Sequence, residues 1–135
     1  MQQSRQTFTN ADEAEQAFYA AFNQCDANAM AQIWAADDVI CIHPGSQAIV
    51  GYEAVLRSWR HILTNAEFPE IKIVVLNRLI SDMLAVHLVE ERITTGDNYA
   101  AVLATNVYKK YPQGWLMVEH HGSLLARQAQ APTLQ

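Results

Sequence analysis

The sequence predicts an α+β domain in which three N-terminal helices pack on the concave face of a curled, cone-shaped sheet that is antiparallel or mixed. Before Pro69, apolar residues recur mainly at the helical spacings of three and four. After it, long runs are rich in Val, Ile, Leu, Thr and Tyr, and short turn signals separate them. Helices that precede the strands, rather than alternate with them, indicate α+β rather than α/β.

The first helix is predicted to begin after a polar cap at Thr9 or Asn10. Asp12 and Glu13 follow in the first turn, where negative charge is favourable because the helix dipole is positive there. One face of this helix is apolar and comprises Ala11, Ala14, Phe18, Ala21, Phe22 and Cys25. A second, short helix is predicted after a cap at Asn28. Its apolar positions are Met30, Ile33 and Trp34.

A short strand and a tight turn are predicted next. Residues 39–43 read VICIH, an apolar run rich in β-branched residues, and Pro44 and Gly45 end it. Residues 47–51, QAIVG, are expected to add another short strand. Gly51 then opens the third helix, whose apolar stripe comprises Val55, Trp59, Ile62 and Leu63, with Arg57, Ser58 and Arg60 facing away.

Four long strands are predicted in the second half of the chain. They span residues 70–80, 84–94, 99–111 and 115–125. The turn signals between them are Ser81-Asp82, Gly96-Asp97-Asn98 and Pro112-Gln113-Gly114. Strands of this length twist and curl, so the sheet is expected to enclose a cone whose wide end becomes a ligand cavity.

These strands are apolar on both parities. The alternating apolar positions are Val86, Leu88, Val102 and Ala104 in one set, and Ala85, Val89, Leu103 and Val107 in the other. Because residues of equal parity share a strand face, both faces of the sheet are expected to be covered. We therefore predict a homodimer through the outer sheet face. Charged residues make up 17% of the chain, below the roughly 25% of average domains, which also favours a buried subunit surface.

Length and composition predict one cytoplasmic domain at residues 9–126, with a disordered or frayed segment at 1–8 and a tail at 127–135. The net charge of −5, without a basic cluster beyond Lys109-Lys110, argues against a nucleic-acid partner. No apolar run approaches the roughly 20 residues of a membrane span, and the N-terminus lacks the apolar segment of a secretory signal. We therefore expect no membrane partner. Cys25 and Cys41 are expected to be buried, reduced thiols.

Two stretches resemble a known family. They are residues 39–63, VICIHPGSQAIVGYEAVLRSWRHIL, and residues 105–123, TNVYKKYPQGWLMVEHHGS. Both resemble the SnoaL-like branch of the nuclear transport factor 2-like superfamily, which has a cystatin-like fold, and the resemblance extends over residues 9–126. It implies a cone, usually a dimer, and a pocket. Its members are similar to the association domain of calmodulin-dependent kinase, to ketosteroid isomerases and to polyketide cyclases, so the fold alone does not supply a function.

The last strand ends in three ionisable residues. In WLMVEHHGS, parity places Glu119 and His121 on the same face as Trp115, and His120 on the other. Relatives often carry histidines at the positions of Glu119 and His121, and in that pattern both look into the cavity. The resemblance therefore implies that this carboxylate and imidazole face the hollow. There they would form a catalytic acid/base pair.

Six other residues are expected to line the pocket: Trp34, His43, Tyr52, Trp59, His87 and Asn106. The imidazoles and the amide are candidates because buried polar groups must find hydrogen bonds, and the aromatic residues could form stacking walls. A purely structural role stays open for His43, Trp34 and Trp59. His120 is expected at an interface or on the surface, and solvated or cross-strand pairs are expected for Glu90, Glu91 and Arg92.

Two functions follow, neither with a cofactor. The first is a dimeric protein that binds a small, partly apolar molecule. The second is an isomerase, cyclase or dehydratase resembling ketosteroid isomerase, in which Glu119 or His121 abstracts a proton next to a carbonyl. His43, His87 or Asn106 would then bind the oxyanion. A zinc site built from His43, His87, Glu119 and His121 has suitable residue types but no compact ligand motif. An assembly domain is a further possibility, although no second domain is visible.

Overall fold

Three helices and a six-stranded sheet form the computed structural model, which describes residues 7–65 and 67–125. The elements are α1 (Ala11–Asn23), α2 (Ala27–Ala31), β1 (Ile40–Ile42), β2 (Ile49–Val50), α3 (Tyr52–Asn65), β3 (Glu70–Ile80), β4 (Leu84–Thr95), β5 (Asn98–Tyr111) and β6 (Gly114–Leu124). Most of the predicted frayed segment and the whole predicted tail lie outside the described residues. Phe8, at the end of the predicted frayed segment, is buried, and its carbonyl accepts a hydrogen bond from the Trp115 N–H at 2.9 Å.

Polar caps determine where the first two helices begin. Asn10 caps α1 as predicted, because its side-chain oxygen accepts from the Glu13 N–H at 2.8 Å. Asp26, and not Asn28, caps α2 by accepting from the Ala29 N–H at 3.0 Å. The prediction for Asn28 was wrong because both positions carry a capping side chain and the helix uses the earlier one.

The sheet has the order β2-β1-β6-β5-β4-β3, and its β1–β6 pair is parallel whereas the other pairs are antiparallel. The predicted mixed α+β sheet with three helices on its concave face is therefore confirmed. Each of the four long strands begins and ends within one residue of its predicted bounds. The β-branched and aromatic content of these strands, together with the short turns between them, was sufficient to predict their bounds.

A bulge in β6 changes which side chains face the helices. Tyr108 of β5 pairs with Met117, but the preceding Val107 pairs with Glu119, so Val118 is an extra residue on β6. An extra residue shifts the strand by one and exchanges the faces of everything beyond it. The side chains after Val118 therefore lie on the sheet face opposite to the one that simple alternation along the sequence predicts.

The core lies between the helices and the concave sheet face. Its strand residues include Ala85, His87, Val89, Glu91, Ala104, Asn106, Tyr108, Met117 and His120, all buried. Helical partners such as Phe18, Leu56 and Trp59 close the layer from the other side. The outer face is apolar but only half-buried at Val86, Leu88, Leu103 and Val107.

Both cysteines are free thiols, Cys25 half-buried and Cys41 fully buried. Burial raises the pKa of the Cys41 thiol to about 12, so it stays protonated and unreactive at neutral pH. Among the residues that the structure describes, no helix combines the length and the apolar character needed to cross a bilayer.

Candidate functional site

An open groove lies between α3 and the segment that joins β1 to β2. Its volume is about 620 Å³, within the range of roughly 300–1,000 Å³ that is usual for small-molecule sites. The lining residues are His43, Ser46, Ile49, Ala54, Arg57, Ser58, His61 and Ile62. Those from α3 recur at spacings of three and four and so form one helix face. None of these lining residues is acidic.

His43 is the imidazole that connects this groove to the interior. Its Nε2 lies 3.0 Å from the Ser58 hydroxyl, which donates its only hydrogen to the Val55 carbonyl at 2.7 Å. Ser58 can therefore only accept from His43, so a neutral His43 carries its proton on Nε2 and leaves Nδ1 unprotonated. Burial lowers the pKa of His43 below its ordinary 6.5, so the imidazole is neutral at pH 7.

Behind His43, four buried side chains form a continuous chain of hydrogen bonds. The His120 ring lies 6.4 Å from the His43 ring, and its Nδ1 donates to the Asn106 Oδ1 at 2.6 Å. Asn106 Nδ2 donates to the Tyr19 hydroxyl at 2.9 Å, and Tyr19 donates to the Glu91 carboxyl at 2.5 Å. Because the amide oxygen can only accept, His120 carries its proton on Nδ1. Every donor in the chain thus points towards Glu91.

Burial determines the charge states along this chain. It lowers the pKa of His120 to about 3, and the neighbouring charges of His43 and His121 act in the same direction. Burial raises the pKa of Glu91 to about 7, against the opposite effect of the hydrogen bond from Tyr19. Burial also raises the pKa of Tyr19 well above 10, so its hydroxyl remains a donor. At mildly acidic pH the whole chain is therefore neutral.

A second polar cluster joins α1 to the strands β3 and β4. Glu15, which is 2% exposed, accepts from His87 Nδ1 at 2.9 Å and from the Arg78 guanidinium at 2.8 Å. The same guanidinium lies 3.3 Å from the Asp12 carboxylate at the rim. Burial acts to raise the pKa of Glu15, but the bonds from His87 and Arg78 outweigh it and lower the pKa. Glu15 is therefore an anion at neutral pH.

The last strand presents His120 to the interior, and not the two residues beside it. Glu119 is half-buried and His121 is exposed, both on the outer face. The prediction that they look into the cavity was wrong because the bulge at Val118 exchanges the faces. Their acid/base role stays a prediction, now without an enclosed hollow around it. His87 lies on the opposite sheet face, so the zinc ligands considered from the sequence do not come together.

The predicted pocket walls are only partly at the groove. His43 lines it, and Trp59 packs edge-on beneath the imidazole with ring centroids 4.9 Å apart. Trp34 is fully buried in the core. The Tyr52 hydroxyl donates to a backbone carbonyl of α2 at 2.9 Å. Ser58, predicted to face away from the core, is instead half-buried against His43.

The predicted polar residues His87 and Asn106 are buried in the two interior networks, away from the groove. Their partners Glu15, Tyr19 and Glu91 were not predicted. Glu91 was expected to be solvated, yet it is 2% exposed. Strand alternation could have predicted that Glu91 is buried, because Glu91 and His87 are four residues apart on β4 and therefore lie on the same sheet face. Glu15 and Tyr19 are four apart on α1, so they share the face that meets the sheet.

Comparison with known proteins identifies the family of this chain. Residues 12–127 match the SnoaL-like domain. The chain belongs to the SnoaL-like family. This confirms the resemblance inferred from the sequence, and structural neighbours described as nuclear transport factor 2-like and as having a cystatin-like fold confirm the superfamily. Membership thus explains the cone of helices on a curled sheet.

Two solved structures are similar to this SnoaL-like chain over most of its length. A protein of Thiobacillus denitrificans ATCC 25259, assigned as a calcium/calmodulin-dependent protein kinase type II association domain, is 36% identical. The match covers 90% of this chain and 99% of that one, with a TM-score of 0.86. A protein of Streptomyces avermitilis, assigned as a dehydratase of the nuclear transport factor 2-like family, is 28% identical. That match covers 87% of this chain and 94% of the other, with a TM-score of 0.80.

A curated relative matches as well. The F-box protein SKIP8 of Arabidopsis thaliana is 27% identical over 110 residues, which cover 80% of this chain and 46% of that protein. The SnoaL-like chain therefore spans about half the length of the curated relative that it matches. The three relatives are assigned to different kinds of protein, so a site rather than the fold must carry any functional assignment.

Proposed function

We propose that this SnoaL-like chain is a small-molecule-binding protein whose ligand occupies the groove between α3 and the β1–β2 segment. The family and its neighbours fit a ligand-binding or isomerase-like protein. The supporting observation is His43, a neutral imidazole with a fixed proton position in a groove of small-molecule size. A few polar groups placed in an otherwise apolar concavity are the usual composition of such a site.

The charges of the groove favour an anionic ligand with an apolar body. Arg57 is a permanent cation on the α3 wall and has no carboxylate partner among the described residues. Ile49 and Ile62 supply apolar contact area. A carboxylate can bind a guanidinium through two parallel hydrogen bonds, which gives both affinity and orientation. We therefore propose a small carboxylate with an aromatic or aliphatic body as the ligand class.

The test compares two neighbouring arginines of α3. Phenylacetate and octanoate are titrated against the protein by calorimetry, with phenylacetamide and octanamide as uncharged analogues. Arg57→Gln should weaken the carboxylates roughly tenfold and leave the amides unchanged, because a charged hydrogen bond is lost. Arg60→Gln, exposed on the same helix but outside the groove, is the matched control. Equal carboxylate affinity in both variants, or no binding by the unaltered chain, would reject the proposal.

We further propose that the chain is a homodimer through the outer sheet face. Val86, Leu88, Leu103 and Val107 form an apolar surface there that the helices do not cover. Sedimentation should give twice the chain mass of 15.1 kDa. Val107→Glu should dissociate the dimer, whereas Ala20→Glu, which introduces the same carboxylate at an exposed position of α1, should not. A stable monomer of the unaltered protein at micromolar concentration would refute the dimer.

A second candidate function is an isomerase, cyclase or dehydratase that abstracts a proton next to a carbonyl. It is favoured by the unprotonated Nδ1 of His43, which is the form that a general base requires. The assay follows exchange of α-hydrogens of carbonyl compounds into heavy water by NMR. If His43→Gln abolishes exchange, the base is at the groove. If Glu119→Gln or His121→Ala abolishes it instead, the base is in the pair that the sequence predicted, although that pair lies on the outer face and not in a cavity.

A further inference from the structure

The cluster of Asp12, Glu15 and His87 contains a buried nitrogen that lacks a partner. His87 is 0% exposed, and its Nδ1 lies 2.9 Å from a Glu15 carboxylate oxygen. A carboxylate can only accept, so the proton of a neutral His87 is on Nδ1 and its lone pair is on Nε2. That Nε2 is buried without a hydrogen-bond partner. A buried polar atom in this state requires an explanation.

The atom that Nε2 faces is an oxygen with lone pairs of its own. Asp12 Oδ1 lies 3.7 Å from His87 Nε2, which is too far for a hydrogen bond. The Arg78 guanidinium lies 3.3 Å from this same oxygen, yet His87 Nε2 itself has no bonded partner. A cation bound by both Nε2 and Asp12 Oδ1 would satisfy the buried nitrogen.

The spacing suits a transition-metal ion. Zinc binds imidazole nitrogen and carboxylate oxygen at about 2.0–2.2 Å, so two donors on a tetrahedral ion lie roughly 3.4 Å apart. The observed 3.7 Å is close to that value, and one donor atom from each of Asp12, Glu15 and His87 lies within 4.8 Å of the others. A carboxylate on the remaining ring nitrogen, as Glu15 provides, is the usual arrangement behind a metal-bound histidine.

Two neighbours complete the setting. Tyr108 packs against His87 with ring centroids 5.0 Å apart, and its buried hydroxyl also has no hydrogen-bond partner. Arg78 neutralises part of the negative charge, because it contacts both Glu15 and Asp12. The Asp12 side chain is 52% exposed, so the cluster is open to solvent on one side. An ion could therefore enter without unfolding of the core, and water could fill its remaining coordination positions.

We propose that His87 Nε2 and Asp12 Oδ1 bind a divalent transition-metal ion of the zinc class, with Glu15 orienting the imidazole. Imidazole together with carboxylate favours zinc, cobalt or nickel over magnesium and calcium, which prefer oxygen ligands alone. Arg78 competes with the ion for the carboxylates and weakens its binding. The site lies between α1 and the β3–β4 pair, on different elements from the α3 groove, so it does not depend on the proposed ligand.

The experiment uses the full chain, freed of metal by a chelator and titrated with Zn²⁺ by calorimetry, and with Co²⁺ by visible absorption. One equivalent should bind. Asp12→Asn, a change at an exposed side chain, should weaken binding at least about tenfold, and His87→Gln should abolish it. Arg78→Gln should tighten binding roughly tenfold, because it removes a cation a few ångströms away. Circular dichroism checks that each variant is folded, and Asp12→Asn remains decisive if His87→Gln does not fold.

Two exposed histidines outside the cluster provide the control. His61→Gln and His121→Gln should leave the single equivalent intact. Loss of binding in either one would locate the ion on the surface and overturn the proposal. The same conclusion follows if the unaltered chain binds no Zn²⁺ up to roughly 100 μM, where a site of micromolar affinity is saturated. Equal affinity in Asp12→Asn, or weaker binding in Arg78→Gln, would also overturn it.

Discussion

Replacing Glu91 by glutamine should stabilise the protein above neutral pH. Burial raises the pKa of this carboxyl from its ordinary 4.5 to about 7. Between these two values the folded chain binds a proton that the unfolded chain has lost, so the free energy of unfolding falls as the pH rises. Each pH unit between the pKa of 4.5 and the pKa of about 7 lowers the free energy of unfolding by about 1.4 kcal/mol. The total loss across this pH range is about 3 kcal/mol. Glutamine cannot ionise, yet it still offers Tyr19 an acceptor.

The assay is urea denaturation of both proteins from pH 4.5 to pH 8.5, followed by fluorescence of the three tryptophans at one fixed protein concentration. The difference between Glu91→Gln and the unaltered chain should be smallest at pH 4.5 and grow to about 3 kcal/mol above pH 7. With a denaturant slope of about 2 kcal/mol per molar, the midpoint rises by about 1.5 M. If glutamine also changes the packing, that contribution to the free energy of unfolding is the same at every pH. It therefore does not affect how the difference between the two proteins changes with pH.

Glu90→Gln is the matched control, because this neighbour on β4 points to the outer face. Its contact with Arg92 at 3.0 Å lies at the surface, where the Arg92 side chain is 51% exposed, and such pairs contribute less than about 1 kcal/mol. The control should show no comparable growth of the difference with pH. If Glu91→Gln becomes less stable than the unaltered chain as the pH rises, Glu91 is a favourable buried anion. The burial argument for the whole chain of hydrogen bonds would then be refuted.

Three further predictions concern the same core and its edges. The pKa of His120 is lowered from 6.5 to about 3, so the unfolded chain binds the proton first on acidification, and stability should fall below pH 6.5 by up to about 5 kcal/mol. His120→Phe should remove this slope in denaturation between pH 6.5 and pH 4, and an unchanged slope would contradict the assignment. Asn106→Leu should cost about 2–3 kcal/mol by leaving buried groups unpaired, whereas a neutral effect in urea would mean that water replaces the amide. Gly114→Ala should lower the melting temperature more than Gly96→Ala, because its Cβ would lie 2.7 Å from the Phe8 carbonyl oxygen while Gly96 faces open space. Equal losses would count against that contact.

The fold was predictable because its signals are local. Long β-branched runs and short turns determined four strands to within one residue, and an amphipathic stripe determined α3. The cap of α2 was less secure, because Asp26 and Asn28 both offer a suitable oxygen within three residues of each other. Local chemistry alone does not choose between two adequate caps.

The site was less predictable because it depends on one bulge. Trp115, Leu116 and Met117 are all apolar and all buried, so this stretch has no alternation from which to read a face. The cause of the bulge is distant in sequence: Met117 exchanges backbone hydrogen bonds with residues on either side of Trp34, at 2.8 and 2.9 Å. Beyond it, β6 pairs instead with β1. Val118 is the extra residue between the part of β6 that pairs with the Trp34 segment and the part that pairs with β1. No pattern within β6 itself indicates this change of neighbour.

The distribution of polar bonds in the core also decides where a ligand can enter at low cost. Glu15 and Tyr19 attach α1 to β4 and β5 through buried hydrogen bonds, so separating α1 from the sheet would leave several polar groups unpaired. On the other side of the core, the Ser58 hydroxyl of α3 and the His43 imidazole, just after β1, are bonded at the edge of the groove. Local opening needs less free energy where few buried polar bonds are broken. The proposed ligand groove lies on the α3 side, so a small molecule bound there would meet His43 and Ser58 and leave the buried bonds of Glu15 and Tyr19 intact.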